Sequence, residues 1–238
     1  MKPYDSEETK KSQVRRMFNA IAGSYDMLNH LLSAGVDRRW RRRAVRLASS
    51  ASPRDILDLA TGTGDMAIAL ARANAEARIT GVDLSEGMVA EGRRKVEAAG
   101  LAGRVELRTG DAEALDLPAE SFDAVTVAFG VRNFGDIAAG LSEMKRVLRR
   151  GGIVCILEFS TPRGKIFGPL YRFYFHRVLP VVGGWISRDR KAYEYLPSSV
   201  DEFPGPEEFV AMMSHAGFSQ NGYVTLMFGV ARIYTGKA

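Results

Sequence analysis

Cysteine and histidine are scarce in this chain. Of its 238 residues one is a cysteine, Cys155, so an intrachain disulfide is excluded and a disulfide-stabilised secreted domain is not expected. Its neighbours are apolar, which predicts a small buried core residue. The three histidines, His30, His176 and His215, are far apart in sequence, and no cysteine pair accompanies them. The spacing of metal ligands is absent, and we predict no metal site.

Long apolar runs and an apolar N-terminus are also missing. The uncharged stretch from Val178 to Ser187 has ten residues, including a proline and two glycines, whereas a membrane-spanning helix needs about 20 apolar residues. The segment from Met1 to Lys11 is polar and charged, unlike a signal peptide. We therefore expect a cytoplasmic protein that does not span a membrane.

Positive charge is concentrated at one end of the chain. The formal net charge is +5, yet residues 1–50 carry eleven Lys and Arg against five Asp and Glu, and the other 188 residues carry 22 against 23. Six arginines lie between Arg38 and Arg46. Three interpretations remain open: a solvated helix face, attraction to an anionic membrane surface at roughly 1 kcal/mol per basic residue, or nucleic-acid binding, which no motif supports.

Residues 55–85 have the order strand, glycine loop, helix, strand and acid, and such sites bind ligands beyond the carboxyl ends of the strands. Gly62, Gly64 and Asp83 fit the spacing of a dinucleotide fingerprint. However, Asp58 lies on the strand just before the loop, where a carboxylate would repel a pyrophosphate and attract a cation. A ligand with a positive end and a ribose diol is S-adenosylmethionine, which the sequence therefore favours. A tight turn with no ligand is the structural alternative.

Strand and helix patterns alternate along the rest of the chain. This alternation predicts an α/β fold with a doubly wound, mostly parallel sheet of seven strands, preceded by N-terminal helices. We predict strands near 56–60, 79–82, 105–108, 122–129, 153–159, 218–226 and 229–236. We predict helices at 8–22, from an Asp37 cap through the arginines, from Asp65, from a Ser85 cap to Ala99, from Asp136 to Arg149, and from Pro206 to His215.

The chain is expected to form one domain with four parts. These are an N-terminal helical cover at 1–50, a cofactor-binding core at 51–161, a substrate flap at 162–199, and a C-terminal helix with two strands at 200–238. The flap is an insertion after the fifth strand and holds eight of the 22 aromatic residues. A helix packed on the core explains part of this pattern, and a pocket for a greasy, ring-shaped acceptor would explain the rest.

Four stretches resemble motifs of known families, and the last three have a spacing more specific than the glycine loop alone. They are Asp58-Leu-Ala-Thr-Gly-Thr-Gly64, Tyr25-Asp26-x-x-Asn29-x-x-x-Ser33-x-Gly35-x-x-x-x-Trp40, Phe129-Gly130-x-Arg132-Asn133, and Arg146-Val147-Leu148-x-x-Gly151-Gly152-x-x-x-x-x-Glu158-x-Ser160. The first resembles the glycine motif of class I S-adenosylmethionine-dependent methyltransferases. The others resemble the ubiquinone/menaquinone biosynthesis C-methyltransferase family, from about residue 14 to the end. Position 37 is Asp where many members have His, so this residue is not an obligatory base.

The resemblance implies which residues hold the cofactor and the acceptor. The implied cofactor residues are Asp58, Gly62, Thr63 and Gly64 around the loop, Asp83 on the ribose hydroxyls, Asp111 and Ala112 at the adenine, and Ala128 at the end of the fourth strand. Arg132 and Asn133 follow that strand and would polarise a quinol, while Asp26 or a water takes its proton and Tyr25 covers the cofactor. A helix cap and a packing aromatic are the structural alternatives for Asp26 and Tyr25.

These features together predict S-adenosylmethionine-dependent C-methylation of demethylmenaquinol, with 2-methoxy-6-polyprenyl-1,4-benzoquinol as a further substrate. The alternatives are a methyltransferase of another lipophilic phenol or a sterol, a dinucleotide-dependent oxidoreductase, and a non-catalytic binder based on the arginines. A lipophilic quinol implies peripheral contact with the inner face of the cell membrane. We expect no nucleic-acid partner, and the sequence leaves open whether the chain forms a homodimer.

Overall fold

The apolar strand segments pair into one seven-stranded sheet in this computed structural model, which describes residues 2–4, 6–26, 35–162, 168 and 190–238. The strands are β1 (Asp55–Leu59), β2 (Arg78–Asp83), β3 (Val105–Thr109), β4 (Phe122–Ala128), β5 (Leu148–Phe159), β6 (Ser219–Leu226) and β7 (Ala231–Lys237). Their order is β3-β2-β1-β4-β5-β7-β6. The first five are parallel, and β7 is antiparallel to both β5 and β6. The predicted fold class is confirmed.

Helices cover the sheet on both faces. They are α1 (Lys10–Ile21), α2 (Val36–Ala48), α3 (Asp65–Ala73), α4 (Glu86–Ala98), α5 (Ile137–Val147), α6 (Arg190–Asp201) and α7 (Pro206–His215). Most of the predicted flap at 162–199 lies outside the described residues, as do Asn29, His30, Ser33 and His176. In the part of the chain that the structure describes, no helix is both long and apolar enough to cross a membrane.

The core explains why the central strands are apolar almost throughout. Alternate residues of β1 point to opposite faces, so Ile56 packs beneath α2, α3 and α4, whereas Leu57 packs beneath α5 and α7. Both side chains are fully buried. Cys155 on β5 is also fully buried, as predicted, and contacts the Ala44 carbonyl of α2.

Two helix boundaries differ from the prediction. Asp37 does not cap α2, because the helix begins after Gly35, whose φ of 73° is easily reached by glycine, and Asp37 instead pairs with Arg41 at 2.8 Å inside the first turn. The helix before β5 ends at Val147, not Arg149, since Arg149 already belongs to the strand and bonds the Asp55 and Asp123 carboxylates. The Ser85 cap of α4 is confirmed by its 3.2 Å bond to a backbone N–H.

The first helix, α1, lies across the carboxyl end of the sheet. Its apolar residues Val14, Met17 and Ile21 pack against Met88 of α4. Asn19 adds polar contacts, because its side-chain oxygen accepts from the Ser85 hydroxyl at 2.6 Å and from the Gly87 N–H at 2.9 Å. The strand order reverses between β1 and β4, which is where an open α/β sheet forms a crevice, and α1 covers that crevice.

Candidate active site

A cavity lies between α1 and the carboxyl ends of β1, β2, β3 and β4. Its empty space measures about 700 Å³, which includes open solvent at its mouth. Seven predicted site residues line it: Tyr25, Gly62, Asp83, Asp111, Ala112, Ala128 and Asn133. Five others do not: Asp26, Asp58, Thr63, Gly64 and Arg132. The structure therefore divides the predicted set into lining residues and residues behind the lining.

The glycine loop requires backbone conformations that few other residues adopt. Gly62 and Gly64 have φ values of 56° and 80°, in the left-handed region. A Cβ added at Gly62 would have no heavy atom within 4 Å, so this residue leaves open space beside the cavity. The Gly64 N–H donates to the Thr61 carbonyl at 2.9 Å, which closes the turn.

Asp83 at the end of β2 holds two loops together. One carboxylate oxygen accepts from the Gly62 N–H at 2.8 Å, and the other accepts from the Ser85 N–H at 2.9 Å. Burial raises the pKa of Asp83, and the two backbone N–H groups oppose that effect. The carboxylate lines the cavity and keeps lone pairs for a hydroxyl donor.

Asp58 is buried behind the glycine loop. Its two oxygens accept from the Thr61 and Thr126 hydroxyls, each at 2.6 Å. Burial raises the pKa of Asp58 to about 6, although both hydroxyl bonds favour the charged form. The predicted carboxylate is thus present at the end of β1, with the loop between it and the cavity.

Asp111 and Glu113, in the loop after β3, are joined to α1 by a lysine that the sequence did not single out. The Lys11 ammonium lies 2.6 Å from the Asp111 carboxylate and 3.0 Å from that of Glu113. Burial opposes the charged lysine, but the hydrogen bonds to both carboxylates raise its pKa overall. On the polar face of an amphipathic helix Lys11 looks like any solvated lysine, so no sequence signal identified it.

Asn133, which follows β4, and Tyr25, which follows α1, both line the cavity. The Asn133 side-chain oxygen is buried and has no hydrogen-bond partner in the described part of the chain. Tyr25 packs edge-on against Phe18, with ring centroids 5.9 Å apart, and both rings line the cavity. Asn133 therefore offers an unused acceptor, while Tyr25 combines the packing role with a position over the cavity.

Arg132 is turned into the protein and away from the lining. Its guanidinium pairs with the fully buried Glu158 at 2.8 Å, donates to the Phe129 carbonyl, and lies over the Phe159 ring at 5.5 Å. The Arg132 backbone N–H donates to the other Glu158 oxygen at 3.2 Å. This double contact fixes the turn that carries Asn133.

Asp26 and Thr63 belong to a polar network on the outer side of the glycine loop. The Thr63 hydroxyl donates to Asp26 at 2.5 Å, and the Lys95 ammonium donates to both Asp26 and Asp65, the latter at 2.6 Å. Arg41 extends the network from Asp65 towards α2 at 3.1 Å. The network connects the segment after α1 to the loop, and it is separate from the cavity lining.

Comparisons with known proteins identify the family of this chain. The model of the ubiE/COQ5 methyltransferase family matches residues 5–238. The ubiquinone/menaquinone biosynthesis C-methyltransferase UbiE of Geobacter sulfurreducens is 52% identical over 96% of this chain and 89% of its own length. The demethylmenaquinone methyltransferase of Thermus thermophilus is 53% identical over 92% of this chain and 99% of its own length. A crystal structure of a SAM-dependent methyltransferase from Thermotoga maritima shares the fold, with a TM-score of 0.65 and 20% sequence identity. The match covers 94% of this chain and 98% of the other. The chain therefore belongs to the ubiE/COQ5 methyltransferase family.

Proposed function

We propose that this chain transfers the methyl group of S-adenosylmethionine to a ring carbon of demethylmenaquinol. The observation that carries the proposal is the cavity lined by Asp83 at the end of β2 and by Asp111 in the loop after β3, in a chain of this methyltransferase family. Relatives from Thermus thermophilus and Bacteroides fragilis, 53% and 43% identical, are named demethylmenaquinone methyltransferase. The benzoquinol substrate is the second candidate, because the Geobacter relative is named for both quinones.

The lining residues fit the polar groups of S-adenosylmethionine. Asp83 would accept from the ribose hydroxyls, Asp111 would accept from the adenine amino group, and Ala112 and Ala128 would flank the rings. Behind the loop, Asp58 adds negative charge near the position of a sulfonium or ammonium group. When bound, the cofactor supplies an electrophilic methyl group.

A dinucleotide fits the same loop less well. The Gly62 N–H already donates to Asp83, and the Gly64 N–H donates to Thr61, so neither amide remains for a pyrophosphate. The charge of Asp83 and of the buried Asp58 would also repel phosphate. These contacts favour methyl transfer over hydride transfer.

The acceptor must be the reduced quinol. A quinone ring is electron-poor, whereas a quinol that loses its phenolic proton gains electron density on the ortho carbon. Transfer would form one carbon–carbon bond as the carbon–sulfur bond of the methyl donor breaks, with S-adenosylhomocysteine as the leaving group. The ring carbon then gives its hydrogen as a proton to a base or a water, which restores aromaticity.

Asn133 is the residue best placed to contact the acceptor, because it lines the cavity and carries a buried oxygen without a partner in the described chain. A phenolic hydroxyl would satisfy that oxygen, and Tyr25 would exclude water from the same side. Arg132 would act through the turn it holds, since Glu158 occupies its guanidinium. Asp26, paired with Lys95, would keep the glycine loop in place, and a water would accept the proton.

The experiment is incubation with methyl-labelled S-adenosylmethionine and chemically reduced naphthoquinol or benzoquinol precursors. We expect the label on the ring carbon by NMR and mass spectrometry, and no transfer to the oxidised quinones. Asp83→Asn should weaken cofactor binding about tenfold, because a charge-assisted hydrogen bond is lost. Asp136→Asn is the matched control, since Asp136 caps α5 with a bond to the Ala139 N–H and lies outside the lining. Label on a phenolic oxygen, or turnover with NADH alone, would contradict the proposal.

A further inference from the structure

The first turn of α1 carries two lysines, Lys10 and Lys11, and no acidic residue. The helix begins here because Thr9 caps it, with a hydroxyl oxygen that accepts from the Ser12 N–H at 3.2 Å. Positive side chains are unfavourable at this end of a helix, because its unpaired backbone N–H groups already give it positive charge. A local rule broken in this way marks a position that serves a contact elsewhere in the molecule.

Each lysine makes such a contact, and the two contacts lie on different loops. Lys11 pairs with the acidic loop after β3. Lys10 extends to the turn after β4, where its ammonium donates to the Arg132 carbonyl at 3.1 Å and to the Phe134 carbonyl at 2.8 Å. A single turn of α1 therefore holds one loop on the side of the predicted cofactor residues and one turn on the side of the predicted acceptor.

The two carbonyls that bind Lys10 lie before and after Asn133 in the chain. The same turn is also held from β5, because the Glu158 carboxylate accepts from the Arg132 N–H at 3.2 Å and pairs with its guanidinium at 2.8 Å. The backbone around Asn133 is thus fixed by one set of contacts from the sheet and by another from α1.

Asn133 is the residue whose direction depends on this turn. Its side chain lines the cavity, and its buried oxygen has no partner among the residues that the structure describes. Lys11 also lines the cavity, whereas Lys10 lies outside the described lining. Any effect of Lys10 on a bound acceptor therefore passes through the backbone of the turn.

The Lys10 ammonium is held at the turn against a desolvation cost. Burial lowers its pKa, and the charges of Glu202 and Glu113 oppose that effect. A lysine that served only solubility would extend its ammonium into water, as its long and flexible side chain allows. The two carbonyl contacts, rather than solvation, therefore account for the direction of this side chain.

We propose that Lys10 is a positioning residue for the methyl acceptor. By binding the carbonyls of Arg132 and Phe134, it sets the backbone on both sides of Asn133. This backbone in turn sets the direction of the side-chain oxygen that meets the phenolic hydroxyl. The inference rests on the proposed function in one respect, that Asn133 contacts the acceptor.

The kinetic test is Lys10→Met, which removes the ammonium and keeps a long side chain. The kcat/KM for the reduced quinol should fall about tenfold, because a contact residue that is loosely held is misplaced for part of the time. The Kd for S-adenosylhomocysteine should not change, since Lys11 still holds the loop after β3. Unchanged binding also shows that the variant is folded. Lys10→Arg keeps a charged donor and should recover most of the lost kcat/KM.

Arg16→Met is the matched control, because Arg16 lies on the same helix and pairs with Glu8 at 3.1 Å, outside the cavity lining. It should leave both constants unchanged. Lys10 would be only an anchor of α1 if Lys10→Met raised the Kd for S-adenosylhomocysteine and left the kcat/KM for the quinol unaltered, and the proposal would then be wrong.

A double-mutant cycle tests whether Lys10 acts through Asn133. In the Asn133→Ala background, Lys10→Met should cost almost nothing further, because both changes remove the same contact with the acceptor. Equal losses of kcat/KM in the two backgrounds would overturn the proposal.

The position of Asn133 can also be measured without any acceptor. In NMR spectra of isotope-labelled protein, Lys10→Met should shift or broaden the side-chain amide signals of Asn133, which are assigned by their loss in Asn133→Ala. The signals of Asn74 should not move, because that amide donates to the Ser49 hydroxyl at 2.8 Å and to the Leu70 carbonyl at 2.9 Å. Unaltered Asn133 signals would contradict the proposal. If no quinol is methylated, the reaction is wrong, and these spectra still decide whether Lys10 sets the Asn133 side chain.

Discussion

Two aspartates at the ends of neighbouring strands have different roles because their surroundings differ. Asp83 lines the cavity and bonds backbone N–H groups, whereas Asp58 is sealed behind the loop and bonds two threonine hydroxyls. Burial raises the pKa of both carboxyls, to about 6 for Asp58. The charge of Asp58 is therefore costly in the folded protein until a cationic ligand binds nearby.

This cost predicts a pH dependence for Asp58→Asn. With a folded pKa raised to about 6 from 3.8, Asp58 is neutral in both states only well below pH 3.8 and charged in both above about pH 7. Its contribution to the free energy of unfolding therefore falls as pH rises between these values, by an amount on the order of 2–3 kcal/mol. In urea unfolding without ligand, the free energy of unfolding of Asp58→Asn should rise relative to that of the unaltered protein as the pH increases from 4.5 to 7. A constant difference would mean that Asp58 keeps its ordinary pKa.

At the scale of elements, α1 is a cover tied to the core by two lysines. The Lys10 ammonium donates to the carbonyls of Arg132 and Phe134 at 3.1 and 2.8 Å, and Lys11 pairs with the loop after β3. Burial lowers the pKa of Lys10. The helix thus contacts two of the loops that form the cavity.

Lys11→Met should loosen this cover. Loss of two partly exposed ion pairs should raise the Kd for S-adenosylhomocysteine by about two- to fivefold, mainly through faster dissociation. Arg16→Met is the matched control, because Arg16 on the same helix pairs with Glu8 and stacks on Tyr4, both outside the cavity. Stopped-flow dissociation would measure both variants, and equal effects would rule out a specific role for Lys11.

For the whole molecule, the cavity lies between an N-terminal cover and a sheet, so a ligand that fills it should close the two together. Ligand at about 100 times its Kd adds roughly 2.7 kcal/mol to the free energy of unfolding. Addition of S-adenosylhomocysteine should slow trypsin cleavage after Arg15 and Arg16 of α1 more than it slows cleavage after Arg150 at the opposite edge of the sheet. A parallel decrease at both places would mean that the cover opens only when the whole protein unfolds.

Most elements were predictable to within a few residues, because they follow from local apolar periodicity and from caps such as Ser85. The helix α6 (Arg190–Asp201) was not predicted, because its residues were assigned mainly to the flap. Asp37 was an exception, as was the end of α5 at Val147. A lone Asp before a helix suits a cap, but here Arg41 one turn later and Gly35 before it place Asp37 inside the helix. Sequence spacing does not reveal which of these local partners prevails.

The sequence by itself determined the alternating α/β order, the acid near the end of each of the first three strands, and the family, because these depend on residue types at fixed local spacing. The tertiary structure alone decided that Arg132 faces Glu158, that Lys95 holds Asp26, and that Asn133 lines the cavity. The two ion pairs join residues at least 26 positions apart in sequence. The position of Asn133 depends on the direction that its side chain takes after packing. Such contacts arise when buried charges find partners during folding, which no local pattern encodes.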